Sequence, residues 1–296
     1  MAAGAASVAR TPAAGRSAAS LRRRRQRRAA GAARFATAAA LAVLMAFPIY
    51  WMLATAVSSP ADLRSGDYGV LPSTVRPANF SDTLSAYPWG TWFLNSWVIA
   101  VLGVLLTVWI NLVCGYAFAN LRFPGRKVLF VLIVSTLMVP IQVLMVPQFQ
   151  IIAELGWLNS IWGVVIPRAA EAFGIFFARQ YFASIPDAVV EAARIDGASE
   201  LTILLRVVLP VSRPLIAVLV IFTFMWRWNE FAWPLIVLKD TASYTAPIGL
   251  LFLQGQNTID YSALMAMALL SVLPIILVFL FFQRYFVEGV VRSGLK

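Results

Sequence analysis

The 296-residue chain has no histidine, a single cysteine and little charge, 12% of its residues. The first absence removes imidazole acid–base chemistry, and with one cysteine only it also removes a Cys/His zinc site and an internal disulfide. Cys114 lies inside an apolar run and reads as a small buried apolar residue. There is no G-x-x-x-x-G-K-S/T phosphate loop, so the chain by itself is not expected to bind or hydrolyse ATP. Nor is there an acidic cluster such as D-D-x-x-D, which leaves a membrane enzyme nothing obvious to work with. Neither a metal nor a cofactor is expected in this chain.

Acidic residues are scarce too, 13 against 24 basic ones, for a net charge of +11. Such a balance could suggest nucleic acid, but nine of the basic residues precede Phe35: Arg10, Arg16, Arg22, Arg23, Arg24, Arg25, Arg27, Arg28 and Arg34. They sit in an Ala/Gly/Ser-rich stretch that cannot bury a core. Residues 1–34 are therefore expected to be a disordered basic tail, drawn to anionic lipid at about 1 kcal/mol per basic residue near the surface, with no nucleic-acid partner.

What the chain does have is apolar sequence, 60% of it, with a mean hydropathy of +0.79. A soluble domain is nearer 45–50% apolar, so this is an integral membrane protein. Six apolar runs, Phe35–Val57, Phe93–Phe118, Val128–Val146, Ile161–Phe182, Leu215–Leu238 and Tyr261–Phe282, are each long enough to cross a hydrocarbon core of about 20 helical residues. With the N-terminus inside, the inner segments hold 18 basic residues and the outer ones three, Arg64, Arg76 and Lys239. That asymmetry places both termini in the cytoplasm. The first run is too long for a signal-peptide core of about 7–15 residues and carries Tyr50-Trp51 toward its outer end, so it reads as a retained anchor. The expected organisation is all-α: a tail over 1–34 and a multi-pass bundle of six transmembrane helices over 35–296 in the cell membrane. The outer segments are Ser58–Trp92, Pro147–Ser160 and Lys239–Asp260, none large enough to be a soluble domain, and Pro72, Pro77 and Pro88 with the polar residues between them make the first a surface loop.

Between the fourth and fifth runs lies a polar, Gly-broken stretch, residues 184–210, ending EAARIDGASELTILLRVVLP. Ser184 three residues before Asp187, with Pro186 in the first turn, predicts a capping box that starts a short helix. Val189, Val190, Ala193 and Ile195 give that helix an apolar side, and Ala192-Ala193 let another surface approach closely. Gly197 offers the positive φ that ends a helix, Ser199 can cap a second one, and Pro210 marks where the second must bend or stop. The order Glu191-Ala192-Ala193, then Asp196-Gly197, then an apolar stretch closing on Leu209-Pro210, resembles the coupling loop of permease subunits of bacterial ABC importers. Ser184-Ile185-Pro186 before it, and Trp228-Asn229-Glu230-Phe231 with Trp233-Pro234-Leu235 after it, are similar to the sugar branch, the smaller maltose-type permease. Asn79-Phe80 and Asn95-Ser96 fit the same pattern. The resemblance implies half of a translocation path for a sugar and docking of this loop in a cleft of an ATPase subunit. It also implies a second permease subunit as heterodimer partner, an ATPase dimer that holds ATP and Mg, and an extracytoplasmic solute-binding protein.

Charges also lie inside the runs. Arg168 with Glu171, and Arg227 with Glu230, stand at i, i+3 spacing, so each pair can neutralise itself on one helix face. An intramembrane charge costs about 2.5–3.5 kcal/mol on insertion scales, so these should face the bundle interior or a water-filled path. Both a structural ion pair and a place on a solute route, with Arg168, Glu171, Arg227, Trp228, Asn229 and Glu230 as path or gate residues, satisfy that requirement. The aromatics Phe222, Phe224, Trp226, Trp228, Phe231 and Trp233 could stack on sugar rings or simply pack. Pro140, Pro147, Pro234 and Pro274 are expected to bend their helices, Pro234 as a hinge beside Asn229-Glu230. Rival readings are an ABC permease for a glycerol phosphodiester or a polyamine, and an ion-coupled secondary transporter. The last would need paired inverted repeats, and none is visible.

Overall fold

The computed structural model describes residues 14–66, 69–255 and 259–293. Among them the chain forms helices and one isolated antiparallel bridge, Ser58 with Val75. It divides into two compact units, residues 1–52 and 53–296.

The first unit is occupied by most of α1 (Ala14–Val57). Residues 1–13 of the expected disordered tail lie outside the described residues. Ala14–Arg34 depart from that expectation, because they continue the membrane-spanning helix. Alanine and arginine are strong helix formers, and extending an existing helix avoids the cost of nucleating a new one.

In the second unit, α2 (Pro60–Ser65) and α3 (Ala78–Ala86) connect to α4 (Trp89–Asn120), which is unbroken. Then come α5 (Arg126–Ser135), α6 (Ile141–Glu154), α7 (Ile161–Val165) and α8 (Ala172–Phe182). The loop helices α9 (Asp187–Ile195), α10 (Glu200–Ile203) and α11 (Leu209–Val211) follow. The chain ends with α12 (Arg213–Asn229), α13 (Ala232–Val237), α14 (Ala246–Gln254) and α15 (Tyr261–Ser293). Among the described residues three helices are long and apolar enough to cross a membrane whole, and the number reaches six when each bent pair counts as one span.

The bends correct the expected spans. The run Val128–Val146 is two helices meeting at 104°, since Pro140 lacks an N–H and holds Val139 extended. Its second arm continues through Pro147 to Glu154, beyond the end of the apolar run. The run Ile161–Phe182 passes through a 3-10 turn at Ile166–Arg168 and bends by 46° before α8. In Leu215–Leu238 the break falls at Glu230–Phe231. Pro234, in the first turn of α13, has no N–H to give the Glu230 carbonyl four residues back, so the break falls where its ring leaves the helix ladder open. Within the outer segment Lys239–Asp260, α14 packs on Trp89 and Trp92 of α4.

Helix α4 packs against α8 and α12, and α12 against α15. At Gly115 a Cβ would come within 2.5 Å of Ala178 Cβ, so only glycine permits this approach of α4 to α8. Val108, Leu112, Ala178, Phe182, Leu215 and Leu219 share one buried cluster with Val190, Ile203 and Val208, so the loop after α8 is rooted in the same core as the spans. Asn79 Nδ2 donates to the Ala56 and Ser58 carbonyls, and Asn95 Nδ2 to those of Ala242 and Tyr244, while Ser96 Oγ accepts from Ala246 N–H. The helices are inverted relative to a soluble bundle: Thr107, Asn111 and Arg227 are buried, while Leu94, Leu105, Val128, Val131, Leu277 and Phe281 are exposed. Lipid accepts such a surface and water does not.

Candidate functional site

The breaks in three runs converge. Thr136, Val139 and Ile141 from the third, with Gln148 just beyond it, Pro167, Arg168 and Ala170–Phe173 from the fourth, and Met225–Arg227 with Asn229 and Glu230 from the fifth line one cavity of about 680 Å³. Irregular backbone is tolerated at membrane depth where it lines a cavity or is buried in protein.

Four charges sit at its wall, and they pair across segments. Arg168 Nη2 lies 2.7 Å from Glu230 Oε1, and Arg227 Nη2 lies 2.9 Å from Glu171 Oε1. The contact expected from i, i+3 spacing survives for Arg227 and Glu230 only as a longer one, 3.6 Å. The spacing rule presumes continuous helix, and the chain leaves helical geometry at Glu171 and again at Glu230. Helix α4 completes the cluster: Arg227 Nη2 donates to Thr107 Oγ1 at 3.2 Å and to the Arg168 carbonyl, which also accepts from Thr107 Oγ1. The charged side chains are between 4% and 16% exposed, Glu171 20%, so each depends on its partner.

Of the other expected path residues, Asn229 lines the cavity and Trp228 does not. Trp228 is 2% exposed, stacks on Phe224 and donates its indole N–H to the Ser271 carbonyl. The aromatics thus split, Phe224, Trp228 and Trp233 packing while Phe222, Trp226 and Phe231 are exposed. Phe173 joins Trp226 on the cavity wall, a residue sequence reasoning missed because nothing local marks α8 as beginning there. A second cavity of about 320 Å³ shares Glu171, Phe173 and Trp226 with the first and reaches Asn111.

The loop realises helix, Gly turn, helix. Gly197 has φ +79°, and its N–H donates to the Arg194 carbonyl. Ser199 Oγ accepts from Thr202 N–H and caps α10. The capping box at Ser184 does not form: its hydroxyl donates to the Tyr181 carbonyl and closes the preceding helix, and α9 starts after Pro186 without a side-chain cap. Val190 and Ala193 face the core, whereas Val189 and Ile195 are exposed, Ile195 at 86%. They stand on the outward side with Glu191, Ala192, Asp196 and Gly197, all exposed. Leu209 is half-buried and Pro210 exposed. The second helix does not stop at Pro210; a π-helical turn at Leu204–Val208 absorbs the proline, and an 86° elbow at Ser212 follows.

Glu200 is the loop residue that sequence reading did not single out. Its carboxylate accepts from Arg194 Nε at 2.7 Å and from the Tyr116 hydroxyl at 2.6 Å, while Arg194 Nη2 also donates to the Asn120 carbonyl. The Arg194 hydrogen bond holds the Glu200 carboxyl below its usual range, with partial burial opposing. The pairing is thus in place at neutral pH and is lost as pH falls through that lowered value. Tyr116 and Glu200 are 84 positions apart, too far for any local pattern to join them.

Broken helices around a cavity walled by apolar side chains and two ion pairs, joined to an exposed helix–Gly–helix loop, fit a transport subunit of an integral membrane machine. Residues 111–292 match the family described as binding-protein-dependent transport system inner membrane component, and the chain belongs to it. It is 34% identical to the arabinooligosaccharides transport system permease protein AraQ of Halalkalibacterium halodurans, over 86% of this chain and 93% of that one. It is also 34% identical to the sn-glycerol-3-phosphate transport system permease protein UgpE of Pectobacterium atrosepticum, over 86% and 92%. A crystal structure of a bacterial ABC transporter involved in import of the acidic polysaccharide alginate contains a similar chain, with TM-score 0.78, 26% identity, and 88% of this chain and 98% of that one covered. The protein is therefore a membrane-embedded permease subunit of an ABC importer and not an enzyme, and the family works with a partner permease, an ATPase and a solute-binding protein. A secondary transporter is set aside.

Proposed function

We propose that this chain forms half of the translocation path for a sugar, as one side of a heterodimer of two permeases. Residues 187–197 dock on an ATPase dimer that binds the ATP and Mg. Both termini and this loop face the cytoplasm, and a binding protein delivers the sugar from outside. The observation that carries the reading is the cavity wall, where each buried arginine is matched by a glutamate while the Phe173 and Trp226 rings stay open. Paired charges suit a neutral solute, and ring faces suit the C–H faces of a pyranose or furanose. Arabinooligosaccharide transport by the relatives supports the choice. A glycerol phosphate is the second reading, favoured by the sn-glycerol-3-phosphate transport relatives.

Uptake by the reconstituted importer decides between them. Labelled arabinotriose and maltotriose are expected to compete for one saturable route that sn-glycerol-3-phosphate does not inhibit, and uptake of the phosphate compound alone would replace the sugar reading. Orientation is tested separately. A cysteine introduced at Ser199 in a Cys114→Ser background is expected to react with an impermeant maleimide only from the cytoplasmic side. Labelling from outside would invert the topology.

A further inference from the structure

The covalent continuation of the docking helix is a poor lever. From α9 the chain runs through the Gly197 turn, the under-wound π turn at Leu204–Val208 and the 86° elbow at Ser212 before reaching α12. Ser212 is fully buried, and its hydroxyl has no hydrogen-bond partner among the described residues. A push delivered to α9 would be spent in bending this path. A shorter route leaves sideways. Arg194 stands in the last turn of α9, and its guanidinium spans Glu200 and the Asn120 carbonyl at the end of α4. Glu200 in turn holds the Tyr116 hydroxyl, one turn back along α4. From Tyr116 to Thr107 the helix is unbroken for nine residues, about 14 Å, and Thr107 is the α4 hydrogen-bond partner of Arg227 and of the Arg168 carbonyl.

We propose that Glu200 is a positioning residue that latches the docking helix to α4, so that displacement of the loop reaches the Arg168–Glu171–Arg227–Glu230 cluster through α4 rather than through α12. The proposal rests on the docking reading above and adds the route by which docking is felt at the cavity. A rigid element touching both sites is what such transmission needs. Demonstration requires measured coupling and not proximity alone.

The test uses the complete importer in proteoliposomes, with this chain in a Cys114→Ser background and a cysteine at Leu137, which lines the cavity. The readout is the rate at which a water-soluble methanethiosulfonate modifies that cysteine, with and without ATP plus vanadate. No solute is required, so the identity of the sugar does not enter. In the otherwise unchanged importer the rate should depend on nucleotide. Glu200→Gln and Tyr116→Phe should each shrink that dependence by about fivefold or more, while the ATPase subunit still copurifies and the chain still inserts. Combining them should cost no more than Glu200→Gln alone, because both act on one latch. Full nucleotide dependence in Glu200→Gln would overturn the proposal. So would loss of the ATPase from that variant, since the residue would then serve docking and not transmission. Failure of the ATPase to copurify with the unchanged chain would instead remove the docking reading and leave the latch without an input.

Discussion

Replacing Gly197 by proline is expected to abolish solute-stimulated ATP hydrolysis in the reconstituted importer while the chain still reaches the membrane. Gly197 holds φ at +79° and donates its N–H to the Arg194 carbonyl. Proline locks φ near −65° and has no N–H to give, so the turn between α9 and α10 cannot form as it stands. The consequence is local but decisive, since the direction of α9 relative to α10 sets which residues face outward. Gly197→Ala provides the graded control. Space around a Cβ there is open, so the only penalty is left-handed backbone strain of about 1–2 kcal/mol. Stimulation should fall in the order glycine, alanine, proline. Glu191→Lys, on the exposed face of the same helix, should also remove stimulation without disturbing the turn. Normal stimulated hydrolysis in the proline variant would end the coupling assignment for this loop.

The second large effect concerns the buried charges. Arg227→Met should destabilise the protein by about 3–5 kcal/mol, because it leaves Glu171 buried without its partner. Adding Glu171→Met removes the stranded charge, and assembled protein should largely return. Transport should not, since the cavity wall has then lost two of its polar groups. By contrast, making Arg227 and Glu230 apolar together, the pair that spacing alone suggests, takes one partner from each of the two short contacts and should recover less. Yields after detergent extraction and sugar uptake in proteoliposomes separate the outcomes. A double Arg227/Glu171 variant that folds and transports as the unchanged protein does would reduce the cluster to packing.

These two sites differ in how far they were legible beforehand, and the reason is range. A glycine turn, a serine cap and a run of apolar residues act within a few positions, so Gly197, Ser199 and the apolar runs could be recognised from neighbouring residues. The crossed ion pairs could not. Spacing brought Arg168 to Glu171 and Arg227 to Glu230 by assuming unbroken helices, whereas the partners chosen lie 62 and 56 positions apart. Ser184 and Pro186 were correctly placed near a helix start, but the serine's hydroxyl had a nearer acceptor in the helix behind it. Trp228 carries the family-like pattern and yet faces α15, because which side of α12 meets the cavity depends on contacts made by distant segments. Glu200 had no local mark at all.

The 104° bend at Val139–Pro140 bears on how the protein is made. Each arm is about 20 Å long, short of a hydrocarbon core about 30 Å thick. The bend also carries Met138 at 84% exposure and non-helical backbone beside it. Until another surface covers that segment, the lipid must tolerate peptide groups it cannot solvate. On the heterodimer reading, this chain made without its companion keeps that segment uncovered and is expected to be degraded. Its abundance in the cell should therefore follow that of the companion permease rather than its own rate of translation.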